Sequence, residues 1–288
     1  MDYIYLIVSV LFNSSAAILG TYFNRRTEGK KDTTAIYNFI QLAAVFVGWL
    51  ILFCTDISFD LRVLPYSLLF SVGFTFVMIG QLNALKTGPV ALTTLIVQLS
   101  QIGTTVWGFF FWGSAATPLV LIGLVLVVLS LILCLCSGKS DAGRISLRWL
   151  CWAGLAFFAN MICGVTQRTQ QMHFNGEHGS MLMVFASLFS LAVCAFLYLR
   201  SDRSDSKEVV KRGWIFPCAA GFCNVLLNLF IILLATSSVS PSLIYPSHSV
   251  GVLMITTIFS LFAFKEKLSA RQWIGIAVGA AATVLLSI

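Results

Sequence analysis

The chain has 288 residues, of which 58% are hydrophobic and only 10% charged, with a mean hydropathy of +0.92. A soluble domain carries about 25% charged residues, so a water-soluble globular fold and a water-soluble enzyme are both excluded. The net charge of +7 does not point to nucleic acid, because the basic residues sit beside long apolar runs, where Lys and Arg set membrane topology.

Each apolar run is close to the roughly 20 residues a helix needs to cross a bilayer. Ten spans are predicted in chain order: Tyr3–Phe23, Thr34–Cys54, Val63–Leu85, Val90–Trp112, Pro118–Cys136, Leu147–Gln167, Gly179–Leu199, Gly213–Ala235, Pro241–Phe264 and Ser269–Ser287. The tight breaks at Lys86–Pro89 and Thr236–Pro241 end in proline, which is well tolerated in a first helical turn. The first span has no basic segment before it, so a cleaved signal peptide is not expected. The eight cysteines are scattered, mostly within apolar runs, without a Cys-x-x-Cys pair; they read as small buried hydrophobes.

With the N-terminus outside, the alternating loops place 16 of the 18 Lys and Arg on the inner side, leaving only Arg62 and Arg168 outside. Positive charge favours the cytoplasmic side. Both termini are therefore expected on the non-cytoplasmic side of a cell (inner) membrane.

An internal repeat supports the count. A shift of 152 residues brings Pro89 onto Pro241, Thr104-Thr105 onto Thr256-Thr257, Phe110 onto Phe262 and Ile122-Gly123 onto Ile274-Gly275. Shifts near 147 and 148 bring Asn13 onto Asn160 and Gly73-Phe74 onto Gly221-Phe222. Five spans per unit is odd, so the second unit must insert upside down, and corresponding loops should exchange charge. The uncharged Gly113–Ala116 indeed corresponds to Lys265-Glu266-Lys267-Leu268. The predicted fold is an all-α membrane protein of ten transmembrane helices, built as two inverted five-helix repeats over residues 1–138 and 139–288. Secondary transporters use this plan.

The segment Phe262–Gly275, with Glu266, Leu268-Ser269 and Gln272-Trp273-Ile274-Gly275 opening the last span, resembles the drug/metabolite transporter superfamily, specifically its EamA-type branch. Pro241 resembles the proline that begins that family's ninth helix. The resemblance implies a carrier of small organic solutes, often an exporter of amino acids, other metabolites or drugs. It also implies a central cavity enclosed by both halves, with the fifth helix of each half packed at the side. Two features depart from the family: Ser114 stands where the second half has Glu266, and the charge bias puts the termini outside.

Polar side chains in mid-span are costly unless paired or facing water. The candidate substrate-binding residues are Asn13, Tyr37, Gln41, Gln98, Gln101, Asn160, Asn224, Asn228, Tyr245 and His248. Gln98/Gln101, Asn224/Asn228 and Tyr245/His248 each share one helix face by their spacing. The bland alternative is that these groups hydrogen-bond between helices as glue. His248 is suited either to substrate or proton handling or to a neutral pairing with a neighbour. No Asp or Glu lies in mid-span, so a neutral or zwitterionic solute is expected in place of a lipophilic cation. His173, Glu177 and His178 form at most an incomplete metal set, since closed sites usually take four ligands. No metal or cofactor is expected. The expected partners are the substrate and the bilayer, with the chain a monomer or homodimer. A membrane enzyme lacks the clustered acids and histidines it would need. Multidrug efflux or a channel-like facilitator is the alternative to a metabolite carrier.

Overall fold

The computed structural model describes residues 2–55, 57–112, 117–135, 146–201, 203–235, 241–263, 265 and 268–285. Eleven α-helices lie among these residues: α1 (Asp2–Arg26), α2 (Thr33–Thr55), α3 (Leu64–Thr87), α4 (Val90–Phe111), α5 (Pro118–Leu135), α6 (Leu147–His173), α7 (Gly179–Arg200), α8 (Ser206–Gly213), α9 (Ile215–Ala235), α10 (Pro241–Ala263) and α11 (Ala270–Leu285). Among the described residues there is no strand. Seven helices, α1 to α4, α6, α7 and α9, are long and apolar enough to cross a membrane. Shorter apolar stretches occupy Leu121–Ser130 and His248–Ala263. The fold is thus all-α and consistent with a multi-pass membrane protein.

Most helix ends fall within two residues of expectation, because apolar runs and Pro or Gly breaks mark them. Ser146 caps α6 by accepting from the Trp149 backbone N–H at 3.1 Å. Two differences stand out. Helix α6 continues six residues past Gln167 to His173; buried Gln170 donates from Nε2 to the Glu177 carbonyl at 2.8 Å and so anchors the extension. The eight-residue α8 was not expected. It is held by the α1–α2 turn, where Lys30 Nζ meets Glu208 Oε2 at 2.5 Å and the Lys31 N–H donates to Asp205 at 3.1 Å. Of the described thiols, Cys163 and Cys194 are buried as expected, but Cys54 and Cys151 are exposed. The expected unit boundary at residues 138/139, the Gly113–Ala116 loop and Glu266 lie outside the described residues.

The helices pack in a closed circuit of neighbours: α4 with α6, α6 with α3, α3 with α7, α7 with α2, α2 with α9, α9 with α1, α1 with α10, and α10 with α4. Helices α5 and α11 pack on each other outside this circuit, against α4 and α10. Exchanging α1–α5, in order, with α6, α7, α9, α10 and α11 maps every pair of the circuit, and the α5–α11 pair, onto another of them or onto itself; the contact of α11 with α4 has no counterpart between α5 and α10 among the substantial contacts of the described residues. At the α5–α11 contact the Ser130 hydroxyl donates to the Gly275 carbonyl at 2.6 Å, and a Cβ on Gly279 would lie 2.7 Å from Ser130 Oγ. Gly275-x-x-x-Gly279 therefore serves close helix packing.

The two ends of the circuit differ. Helix α1 also touches α3: Asn24 Nδ2 donates to the Leu82 carbonyl at 3.1 Å, beside the buried cluster of Phe23, Ile36, Tyr37 and Leu82. The corresponding pair in the other half, α6 with α9, is not among the substantial contacts of the described residues. At the opposite end of α2, the Asp60 N–H donates to Met181 Sδ at 3.3 Å, and Tyr66 Oη pairs with His173 Nδ1 at 2.9 Å.

Candidate functional site: amides on the inner helix faces

An α-helix turns once every 3.6 residues, so positions nine apart face opposite ways. On α1, Ile4, Ile7 and Leu11 are exposed outward, and Asn13 lies opposite them, half-buried within an otherwise buried face. On α9, Ile215, Phe222 and Leu233 are exposed, and half-buried Asn224 and Asn228 lie opposite. Asn228 Nδ2 donates to the Asn224 carbonyl at 2.9 Å and to its Oδ1 at 3.2 Å. Helices α1 and α9 are direct neighbours, with Phe12 and Phe230 stacked at 6.4 Å between them. Asn13, Asn224 and Asn228 therefore turn the same kind of partly open amide face toward the inside of the circuit.

Asn160 occupies the inner face of α6, opposite exposed Phe158 and Cys151. It is used between helices: Nδ2 donates to Ser100 Oγ at 2.7 Å and to the Val97 carbonyl at 3.4 Å on α4. Gln98 is 7% exposed within a fully buried stretch of α4. Gln101 is half-buried one turn on. Gln41 is buried where α2 meets α9; a Cβ on Gly221 would come 2.6 Å from its backbone carbonyl. Tyr37 is buried against Phe23, ring centroids 4.9 Å apart, in the cluster with Ile36 and Leu82 where α1 meets α3. The side chain of Tyr245 lies outside the described ones.

His248 on α10 is 5% exposed. It hydrogen-bonds the Ser9 backbone of α1, while its Nε2 is buried without a partner among the described residues. Other buried polar atoms without a partner among the described residues are on Thr94 and Thr104 of α4 and on Ser249 and Thr257 of α10; Thr104 faces α6, where a Cβ on Gly164 would lie 2.8 Å from its Oγ1. Buried polar groups are normally satisfied, so these two helices have hydrogen-bonding capacity that the described residues do not use.

Sequence reasoning missed Gln167 and Gln171 on the inner face of α6, three and four residues apart from the Gly164 and Gln167 positions they follow. Gln167 Nε2 is buried and unpaired among the described residues. The signal was present, a polar run continuing the 3.6-residue period past Asn160, but the span was ended too early. It also missed Trp149, fully buried, whose Nε1 donates to Thr93 Oγ1 at 2.9 Å. Trp49 is buried, whereas Trp107 is exposed and stacked on Phe111 at 4.1 Å. His173, Glu177 and His178 do not gather further ligands, and no group of three metal-binding side chains occurs among the described residues.

The chemistry of this arrangement is hydrogen bonding by neutral amides and hydroxyls. The fold defines an all-α protein with several helices suited to a bilayer. No protein-family model matches the chain, and no curated protein matches it. Among solved structures, a crystal structure described only as that of a protein is similar over 96% of this chain and 95% of its own, with a TM-score of 0.60 and 12% identity. At that identity the likeness concerns the fold alone.

Proposed function

We propose that the chain is a secondary carrier of small organic solutes, amino acids or related metabolites, working by alternating access between two inverted five-helix units. The observation that carries this reading is the packing circuit that maps onto itself when the two sets of five helices are exchanged. Inverted-repeat carriers bind at the interface of such units and rock one against the other. The amides of Asn13, Asn224 and Asn228 suit a neutral or zwitterionic solute, and they form the centre of the proposed binding surface. Gln98, Gln101, Asn160 and His248 line the adjoining α4–α6–α10 side. Gln41 and Tyr37 lie toward the closed end.

The contact of α1 with α3, without its counterpart between α6 and α9, supports a state shut at the end that carries most of the Lys and Arg and open at the other. By the positive-inside bias that state faces away from the cytoplasm. Export is the proposed direction, following the family resemblance of the Phe262–Gly275 segment. The test is counterflow in proteoliposomes loaded with an amino-acid mixture. Saturable uptake of labelled solute, accelerated by solute on the opposite side, supports the carrier. Flux that is linear in concentration and insensitive to the opposite side rejects it in favour of a channel-like facilitator.

A further inference from the structure

A separate recess lies between the start of α2, the end of α3 and the end of α7. It encloses about 360 Å³ and is lined by Asp32, Thr33, Asn38 and Lys86, above Ile79 and Leu197. Small-ligand pockets run from about 300 to 1,000 Å³, so the space suits a compact polar group. Lys86 Nζ reaches Thr33 Oγ1 at 3.1 Å. Asp32, at φ 53°, turns the chain into α2; Asp is among the residues that tolerate this left-handed conformation. Among the described residues, neither Lys86 nor Asp32 takes part in an ion pair, whereas nearby Lys30 and Arg212 both meet Glu208. Asn38 is 2% exposed, and its Oδ1 has no hydrogen-bond partner among the described residues.

The recess opens outward between α3 and α7. Leu197 is 41% exposed, and Phe76, one turn deeper on α3, is 46% exposed. Opposite charges thus line a pocket at the helix ends, with an apolar wall leading toward the middle of the helices. A phosphate alone would meet Lys86 but be repelled by Asp32, and a simple cation would face the reverse. A ligand bearing both a phosphate and an ammonium satisfies both, and its hydrocarbon tail has a surface to follow. Pockets between membrane helices near the cytoplasmic surface are suited to lipid headgroups.

We propose that this recess binds an aminophospholipid headgroup. The phosphate takes Lys86 and the Thr33 hydroxyl, the primary ammonium takes the Asp32 carboxylate, and the acyl chains run along Ile79 and Leu197. This rests on the membrane reading of the chain and not on its being a carrier.

The test is native mass spectrometry of detergent-purified full-length protein, titrated with short-chain phosphatidylethanolamine, phosphatidylcholine, phosphatidylglycerol or free phosphoethanolamine. The expected order puts phosphatidylethanolamine first. Lys86→Gln weakens both phosphatidylethanolamine and phosphatidylglycerol about tenfold, as for loss of one charge-assisted hydrogen bond. Asp32→Asn removes the preference for ethanolamine over choline and leaves phosphatidylglycerol undiminished. Leu197→Trp, which fills the recess from its apolar side, lowers binding of all three lipids while both charges remain. Equal binding of the three lipids, or binding untouched by Lys86→Gln and Leu197→Trp, overturns the site. Free phosphoethanolamine binding as tightly as the lipid overturns the lipid assignment. Failure of the membrane reading would appear separately, as protein that stays monodisperse without detergent.

Discussion

Asn160 Nδ2 on α6 donates to Ser100 Oγ on α4 at 2.7 Å, joining residues 60 positions apart in sequence. The Ser100 hydroxyl in turn donates to the Val97 carbonyl at 2.6 Å, so the amide extends a bond that α4 already makes. Such interhelical bonds average about 0.6 kcal/mol in membrane bundles, with a maximum near 1.7. A double-mutant cycle of Asn160→Ala and Ser100→Ala, followed by thermal unfolding in detergent, is expected to give a coupling in that range. A coupling indistinguishable from zero would free Asn160 from this structural role.

Gly221 on α9 and Gly73 on α3, aligned by the internal repeat, both sit where one proposed unit meets the other. A Cβ on Gly221 would lie 2.6 Å from the Gln41 carbonyl oxygen of α2, and one on Gly73 would lie 2.9 Å from the Ala159 carbonyl oxygen of α6. Backbone atoms cannot move aside cheaply, so Gly221→Ala and Gly73→Ala are each expected to destabilise by about 1–3 kcal/mol. Gly154, where an added Cβ meets nothing within 4 Å, is the control. Its replacement by Ala should leave the melting temperature unchanged or raise it.

The contact between α8 and the α1–α2 turn should respond to acid. Glu208 is held below the ordinary carboxylate range, first by the hydrogen bond from Lys30 and then by the charge of Arg212. A depressed pKa stabilises the folded arrangement above the unfolded-state value of about 4.3. That contribution is lost as pH falls through the folded pKa. The protection of residues 203–213 against hydrogen exchange, taken relative to the unfolded-chain rate at each pH, is expected to be high at pH 7 and to fall on acidification below about pH 4. Glu208→Gln should show the lower protection already at pH 7, and added salt should narrow the difference.

Asn13 and Asn224 are half-buried on inner faces, so truncating them should spare the fold more than truncating Asn160. Asn13→Ala and Asn224→Ala are expected to change stability by no more than about 0.5 kcal/mol, as for positions without tight packing. Solute-induced thermal stabilisation and counterflow should fall at least tenfold in the same variants, the cost of about one well-placed hydrogen bond to a buried ligand. Retained counterflow in both would move the binding surface elsewhere.

The helices of this protein were legible because their ends are written locally. Val90, Pro118, Leu147, Gly179 and Pro241 begin helices at the expected residues, since Pro, Gly and a capping Ser act within one turn. The short α8 was not legible: with eight residues it has too little apolar surface to announce itself, and the Lys30–Glu208 ion pair and the hydrogen bond from the Lys31 N–H to Asp205 hold it. The shared faces of Gln98/Gln101 and Asn224/Asn228 could be read from their spacing of three and four residues.

What the amides on those faces do was decided only by the tertiary structure. Asn160 is tied to Ser100, Asn24 to the Leu82 carbonyl and Asn83 to Thr34, while Asn13 remains half-open on its inner face. In the sequence these are equivalent polar letters in apolar runs. Their partners lie about fifty to sixty residues away, and contact depends on the rotation and stagger of each helix against its neighbour. Close packing of many side chains sets those two quantities, and no local pattern encodes them.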